Sequence, residues 1–161
     1  MHRSPFTRRT RGACVLPTLL GLVAAAALAP GAAADRTYHS QHLDLTPVGS
    51  APLRSGFVQN IKAQGPTVYA HELIVLNGAS PLTSYTVIRN FFYLHPDCSG
   101  DVLAERVTDL ETNVAGNGRS DFVIRPADVA GFQGLHGVYF SIVDETGRVL
   151  YRTACSAVTL D

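Results

Sequence analysis

The sequence predicts an all-β fold, a single antiparallel sandwich of about seven to nine strands. Three observations predict it. Short runs rich in Val, Ile, Tyr, Phe and Thr recur along the chain, separated by Gly, Pro and Asn. After residue 34, no stretch of useful length carries the 3.6-residue apolar stripe of a helix. The two cysteines beyond that point, Cys98 and Cys155, fall at the end of one strand region and inside another, as a staple between strands requires.

What precedes residue 35 reads as a leader. Arg3, Arg8, Arg9 and Arg11 form a positive start without an acid, Val15 to Ala29 is apolar, and Ala32-Ala33-Ala34 fits small-residue cleavage. That order is a secretory signal peptide over residues 1–34, with cleavage expected after Ala34. The apolar run is short of the roughly 20 residues a membrane-spanning helix needs, and no transmembrane segment is expected once it is removed. Arg8-Arg9 has the look of a twin-arginine signal, but Arg11 stands where that signal favours an apolar residue. Cys14 precedes the apolar run, the wrong side for a lipid-anchored cysteine. The chain is expected to be secreted, or held in the cell envelope.

The expected mature domain, residues 35–161, keeps nine Lys and Arg against thirteen Asp and Glu, a net charge of −4. Nucleic acid demands a concentrated positive face, so this balance argues against it, and against adhesion to anionic lipid. A domain of this size can bury about two-thirds of its unfolded surface in one core.

The strands follow in order. "HSQHLDL" (His39 to Leu45) is the first, and "LRSGFVQNIKA" the second, with Leu53, Ser55, Phe57, Gln59 and Ile61 on one face. "TVYAHELIVL" (Thr67 to Leu76) and "TSYTVIRNFFYL" (Thr83 to Leu94) are dense in β-branched and aromatic residues. "VLAERVTDLETN" holds one strand or two short ones. Asn117-Gly118 marks a tight turn, because both residues tolerate positive φ. "SDFVIR" (Ser120 to Arg125) comes next, and "GVYFSIVD", the turn "ETGR" and "VLYRTACSAVTL" make a C-terminal hairpin.

Between the third and fourth strands, Gly78 and Pro81 turn the chain and Tyr85 sits just inside the next strand. "PLTSYTV" (Pro81 to Val87) resembles the tyrosine corner of fibronectin type III and immunoglobulin-like sandwiches, in which the tyrosine hydroxyl reaches back to turn backbone. "TNVAGNGRSDFVI" is similar to the strand pattern of CHRD-type domains, themselves akin to Cu/Zn superoxide dismutase sandwiches. The resemblance covers residues 67–160, rests on turn chemistry, and implies an Ig-like Greek-key sandwich in which Pro81 and Tyr85 are structural.

Superoxide dismutases hold copper with an H-x-H pair, which this chain lacks. Its nearest approach is His39, His42 and Asp44. On a strand His42 and Asp44 share a face, and His71, His95 or His136 would have to converge on them to complete a zinc or copper set. "HELIV" (His71 to Val75) begins like a metalloprotease helix, but Val75 replaces the second histidine. No G-x-S-x-G, C-x-x-C or N-x-[ST] occurs. "GFQGLHG" (Gly131 to Gly137) precedes a strand rather than opening a phosphate-binding helix. Asp97 with Asp101, and Asp144 with Glu145, are acids in turns without a calcium-loop pattern.

"LHPDC" therefore reads as one end of a staple. In an oxidising compartment Cys98 and Cys155 pair, closing a loop worth roughly 4 kcal/mol in chain entropy. The function expected is a non-catalytic binding or structural envelope module with no cofactor, its partner a protein or surface polymer. The loops offered are Gly49 to Pro52, Asp97 to Asp101 and Gly131 to His136. A metal-handling, superoxide dismutase-like sandwich is the alternative.

Overall fold

The computed structural model describes residues 39–161. The expected signal peptide lies outside the described residues. So does the side chain of His39.

Among the described residues nine strands form, each antiparallel to its partners. They are β1 (His39–Pro47), β2 (Ser55–Lys62), β3 (Ala70–Asn77), β4 (Ser84–Phe92) and β5 (Leu103–Glu111). After them come β6 (Gly118–Ile124), β7 (Gly134–Val143), β8 (Val149–Thr153) and β9 (Ser156–Leu160). One helical turn, α1 (Pro126–Val129), starts on a proline, and Asp128 accepts from the Arg125 N–H at 2.8 Å.

β1, β2 and β3 run as a meander, and β6 joins the outer side of β3. The facing layer holds β5, β4 and β7, with β8 and β9 in succession along the other edge of β7. The chain leaves β3, makes the β4–β5 hairpin in the second layer and returns as β6 beside β3, a Greek-key path. β1 serves both layers: His39 to Asp44 pair with β2, and Leu45 to Pro47 pair with β8. β5 and β6, at the two ends of the strand order, meet through a Thr112–Gly118 bridge and a 2.7 Å Thr108–Ser120 hydroxyl bond. The result is an all-β sandwich rolled toward a flattened barrel.

Its core is built at the end where the sheets touch. Val58, Ile74, Leu76, Tyr85, Val87, Phe140, Ile142 and Tyr151 are all buried. Side chains of this size contribute about 1.5–3 kcal/mol each on burial. In β2 the inward residues are Gly56, Val58 and Asn60, so the Phe57–Ile61 face is the outer one. At inward Gly56 the fit against β3 is tight: a Cβ there would stand 3.1 Å from the Val75 carbonyl and 3.2 Å from Leu76 Cδ2, so these neighbours would have to give way slightly.

The turn placed at Asn117-Gly118 begins four residues earlier. The Asn113 side chain accepts from Ala115 N and Asn117 N, and Gly116 takes the positive φ of 73°. The C-terminal strand breaks at Ala154-Cys155 into β8 and β9. Cys155 is bonded to Cys98, with Cα atoms 6.0 Å apart. The loop that carries Cys98 lies directly on β7, where a Cβ on Gly137 would stand 2.3 Å from the His95 carbonyl oxygen. That contact explains the glycine. The expected corner is also held differently. Tyr85 is buried, but its hydroxyl has no partner among the described residues, while the Thr112 hydroxyl donates to Ser80 O at 2.7 Å. Pro81 is exposed, and its carbonyl accepts from the Thr83 hydroxyl at 2.9 Å.

Candidate functional site: an apolar cavity with buried polar groups

At the end opposite the core the sheets part. The cause is β9, which pairs only with β7, leaving no backbone ladder between β1–β2 and the last strand. Side chains bridge that seam instead. Gln41 donates to Ser156 Oγ and to Ala157 O, and Lys62 donates to Thr159 O and to Asp161 Oδ1. Behind the seam lies a cavity of about 160 Å³. Apolar residues dominate its wall, among them Tyr69, Phe91, Ile124, Val138, Val158 and Leu160.

Polar groups enter that wall from strand alternation. Asn60 of β2 and Glu72 of β3 are direct cross-strand partners, so both side chains point into the sandwich. Glu72 is 2 % exposed and Asn60 8 %. From the facing sheet Arg89 lies on the inward parity of β4 with Tyr85, Val87 and Phe91, and its strand neighbour is Glu105. Arg89 donates to Glu72 Oε1 at 3.0 Å and to Glu105 Oε2 at 2.6 Å. The guanidinium also sits 5.6 Å from the Phe122 ring centre. One cation thus ties a carboxylate across the gap between sheets to one on its own neighbouring strand.

Two buried acceptors in this wall have no hydrogen-bond partner among the described residues: Glu72 Oε2 and Asn60 Oδ1. Such atoms normally find one, since leaving them unsatisfied costs about 1–3 kcal/mol each. Burial pushes the Glu72 carboxyl above the ordinary carboxylate range, against the pull of Arg89. Burial alone would make Arg89 less basic, but the charges of Glu72 and Glu105 outweigh it and hold the guanidinium charged. At the rim, Lys62 is the first cause that holds the Asp161 carboxyl below its usual range, with Gln64 and Tyr69 adding hydrogen bonds.

The residues singled out in the sequence lie elsewhere. His42 and Asp44 share an exposed face as expected, 3.1 Å apart, but the other ring nitrogen of His42 is engaged with Gln59 at 2.9 Å. His71 lies 3.2 Å from Asp121 on the outside of β3. His95 sits in the disulfide loop, its Nδ1 3.4 Å from the Ser99 hydroxyl. His136 is wholly buried; it accepts from the Leu94 N–H through Nδ1 at 2.9 Å and donates through Nε2 to Phe132 O at 3.0 Å. Among the described residues, no three side chains of His, Cys, Asp and Glu gather as a metal set. Asp97 and Asp144 each cap their own turn: the Ser99 and Thr146 hydroxyls are the first causes that hold them below the usual carboxylate range. Of the three loops, only Gly131 to His136 reaches the cavity, through Phe132.

The sequence reading missed Glu72, Arg89 and Asn60. A usable signal was present, a charged residue at the inward parity of two otherwise apolar strands. Comparison with protein-family models, with curated proteins and with solved structures finds no match for this chain. No helix among the described residues is long and apolar enough to cross a membrane.

Proposed function

We propose that this chain is an exported, non-catalytic binding module of the immunoglobulin-like sandwich type, and that its binding site is the cavity between the parted sheets. The observation that carries the reading is the pair of buried acceptors without partners, Glu72 Oε2 and Asn60 Oδ1, in an otherwise apolar wall. Ligand sites have this composition, an apolar lining with a few placed polar groups. The wall's arginine is spent on an ion pair with Glu72 and Glu105 rather than held free for a reacting group. Support for export comes from the signal pattern over residues 1–34 and from the disulfide.

The test is methyl NMR of the protein with a library of small fragments. Perturbations gathered on Ile124, Val138, Val158 and Leu160, and abolished when Val158→Trp fills the space, are the expected result. Fragments that bind elsewhere, or none that bind at all, would overturn the assignment.

A further inference from the structure

The wall of the cavity carries information about the charge of what it takes. Its ionisable residues, tyrosine aside, are Lys62 and Arg89 against Glu72, Glu105 and Asp128. Both cations are already committed: Arg89 to the two glutamates, and Lys62 to Asp161 and the Thr159 carbonyl. The carboxylates are in excess, and one oxygen of the buried Glu72 carboxylate has nothing to accept from among the described residues. The second orphan, Asn60 Oδ1, belongs to the residue directly across the strand pair from Glu72. Both free groups are therefore acceptors, carried by directly paired residues of β2 and β3, in a region short of positive charge.

Resting on the reading of this cavity as a binding site, we infer that its ligand is a small organic cation, a primary ammonium on a compact apolar body. An ammonium has three donors and no acceptor, so one head group can meet Glu72 Oε2 and Asn60 Oδ1 together. A carboxylate or phosphate would bring acceptors to acceptors and add to the negative excess. A hydroxyl would satisfy one orphan and leave the charge uncancelled. The apolar body follows from size and lining: a volume of about 150 Å³ is enough for a benzene ring, and the cavity here, open to solvent at one side, is about 160 Å³. Phe91, Phe132 and Tyr69 supply aromatic faces, on which a cation and its ring can also rest.

Three probes of the same frame separate the possibilities: 2-phenylethylamine, 2-phenylethanol and phenylacetate. Each is titrated against protein produced from the full chain, at neutral pH, with affinity read by calorimetry and position by the methyls of Val138, Val158 and Leu160. The amine is expected to bind at least tenfold more tightly than the alcohol, and phenylacetate not to saturate. Glu72→Gln is expected to remove the amine's advantage over the alcohol. If amine and alcohol bind the cavity equally, or phenylacetate binds best, the inference is overturned while the binding site stands. If none of the three reaches the cavity methyls, and no fragment does, both fall. An amine preference that survives Glu72→Gln also overturns it. Should that variant not fold, the three-probe comparison on the unaltered protein decides the matter.

Discussion

Reducing the Cys98–Cys155 bridge should cost the protein roughly 4 kcal/mol. The bond joins residues 57 positions apart. On the chain-entropy relation, a loop of that length removes about 14 cal/mol/K from the unfolded ensemble, hence the figure at 25 °C. A domain of ordinary stability holds about 5–15 kcal/mol in total, so the reduced protein should sit close to its folding threshold. The assay is urea denaturation of the oxidised protein, of the reduced protein, and of Cys98→Ala/Cys155→Ala. It is followed by far-UV circular dichroism and tyrosine fluorescence, since the chain has six Tyr and no Trp. With a slope of about 2 kcal/mol per molar urea, the midpoint should fall by about 2 M. The slope should rise at the same time, because the unfolded chain expands once the loop is open. A midpoint that moves by less than about 0.5 M in both the reduced and the substituted protein would refute the account. Native packing around the loop would then be holding these strands unaided.

Three further outcomes are expected. Gly137→Ala places a Cβ 2.3 Å from His95 O and 2.9 Å from both Cys98 N and Sγ, and should cost at least about 1–3 kcal/mol as the loop is displaced; an unchanged melting temperature would show that the close approach does not exist. His136→Phe keeps a ring but strips the Leu94 N–H of its acceptor, for a loss of about 1–3 kcal/mol and faster hydrogen exchange at Leu94; in the unaltered protein, nitrogen NMR at neutral pH should show the Nε2–H tautomer. The pH dependence should have two opposite parts. Asp97, Asp109, Asp144 and Asp161 are held below their ordinary 3.8, so the stability they add is present above that value and is lost as pH falls through the folded ones. Glu72 is raised above its ordinary 4.5, so its contribution to stability declines as pH climbs from there through its folded value. The urea midpoint of Glu72→Gln should therefore gain on the unaltered protein between pH 4.5 and neutrality, and a constant gap would count against a raised Glu72.

Much of the strand pattern was legible because apolar, β-branched runs and their Gly, Pro and Asp punctuation are local properties. Thr83 to Leu94 encloses β4, Thr67 to Leu76 covers β3 up to its last residue, Asn77, and Asp144 with Gly147 makes the last hairpin turn as the residues suggest. The inward face of β2 was harder to read. Phe57 and Ile61 look like core, yet Val58 and Asn60 point inside, because β1 and the neighbouring side chains half cover the outer face: the His42 ring stacks 4.6 Å from Phe57. Burial on both faces blurs the two-residue alternation that sequence reading depends on. Polarity alone assigns Asn60 to solvent, and only the parting of the sheets shows why it faces inward. The histidines drew attention for their chemistry, but what placed them was geometry. Their partners Gln59, Asp121 and Phe132 lie 17, 50 and 4 residues away. Glu72 and Arg89 are 17 residues apart and meet only because β3 and β4 lie in opposite layers.

The double duty of β1 has a consequence for when this protein can fold. Its first half completes the β1–β2–β3 meander, but Leu45 to Pro47 need Thr153, Arg152 and Tyr151, more than a hundred residues downstream. β7 likewise waits for β9, and the bridge waits for Cys155. Contacts of such long sequence separation are slow to form and cannot form at all on an unfinished chain. Order of synthesis does not set order of assembly here. The pairings of β1 with β8 and of β7 with β9 are possible only after residues 151–160 have been made.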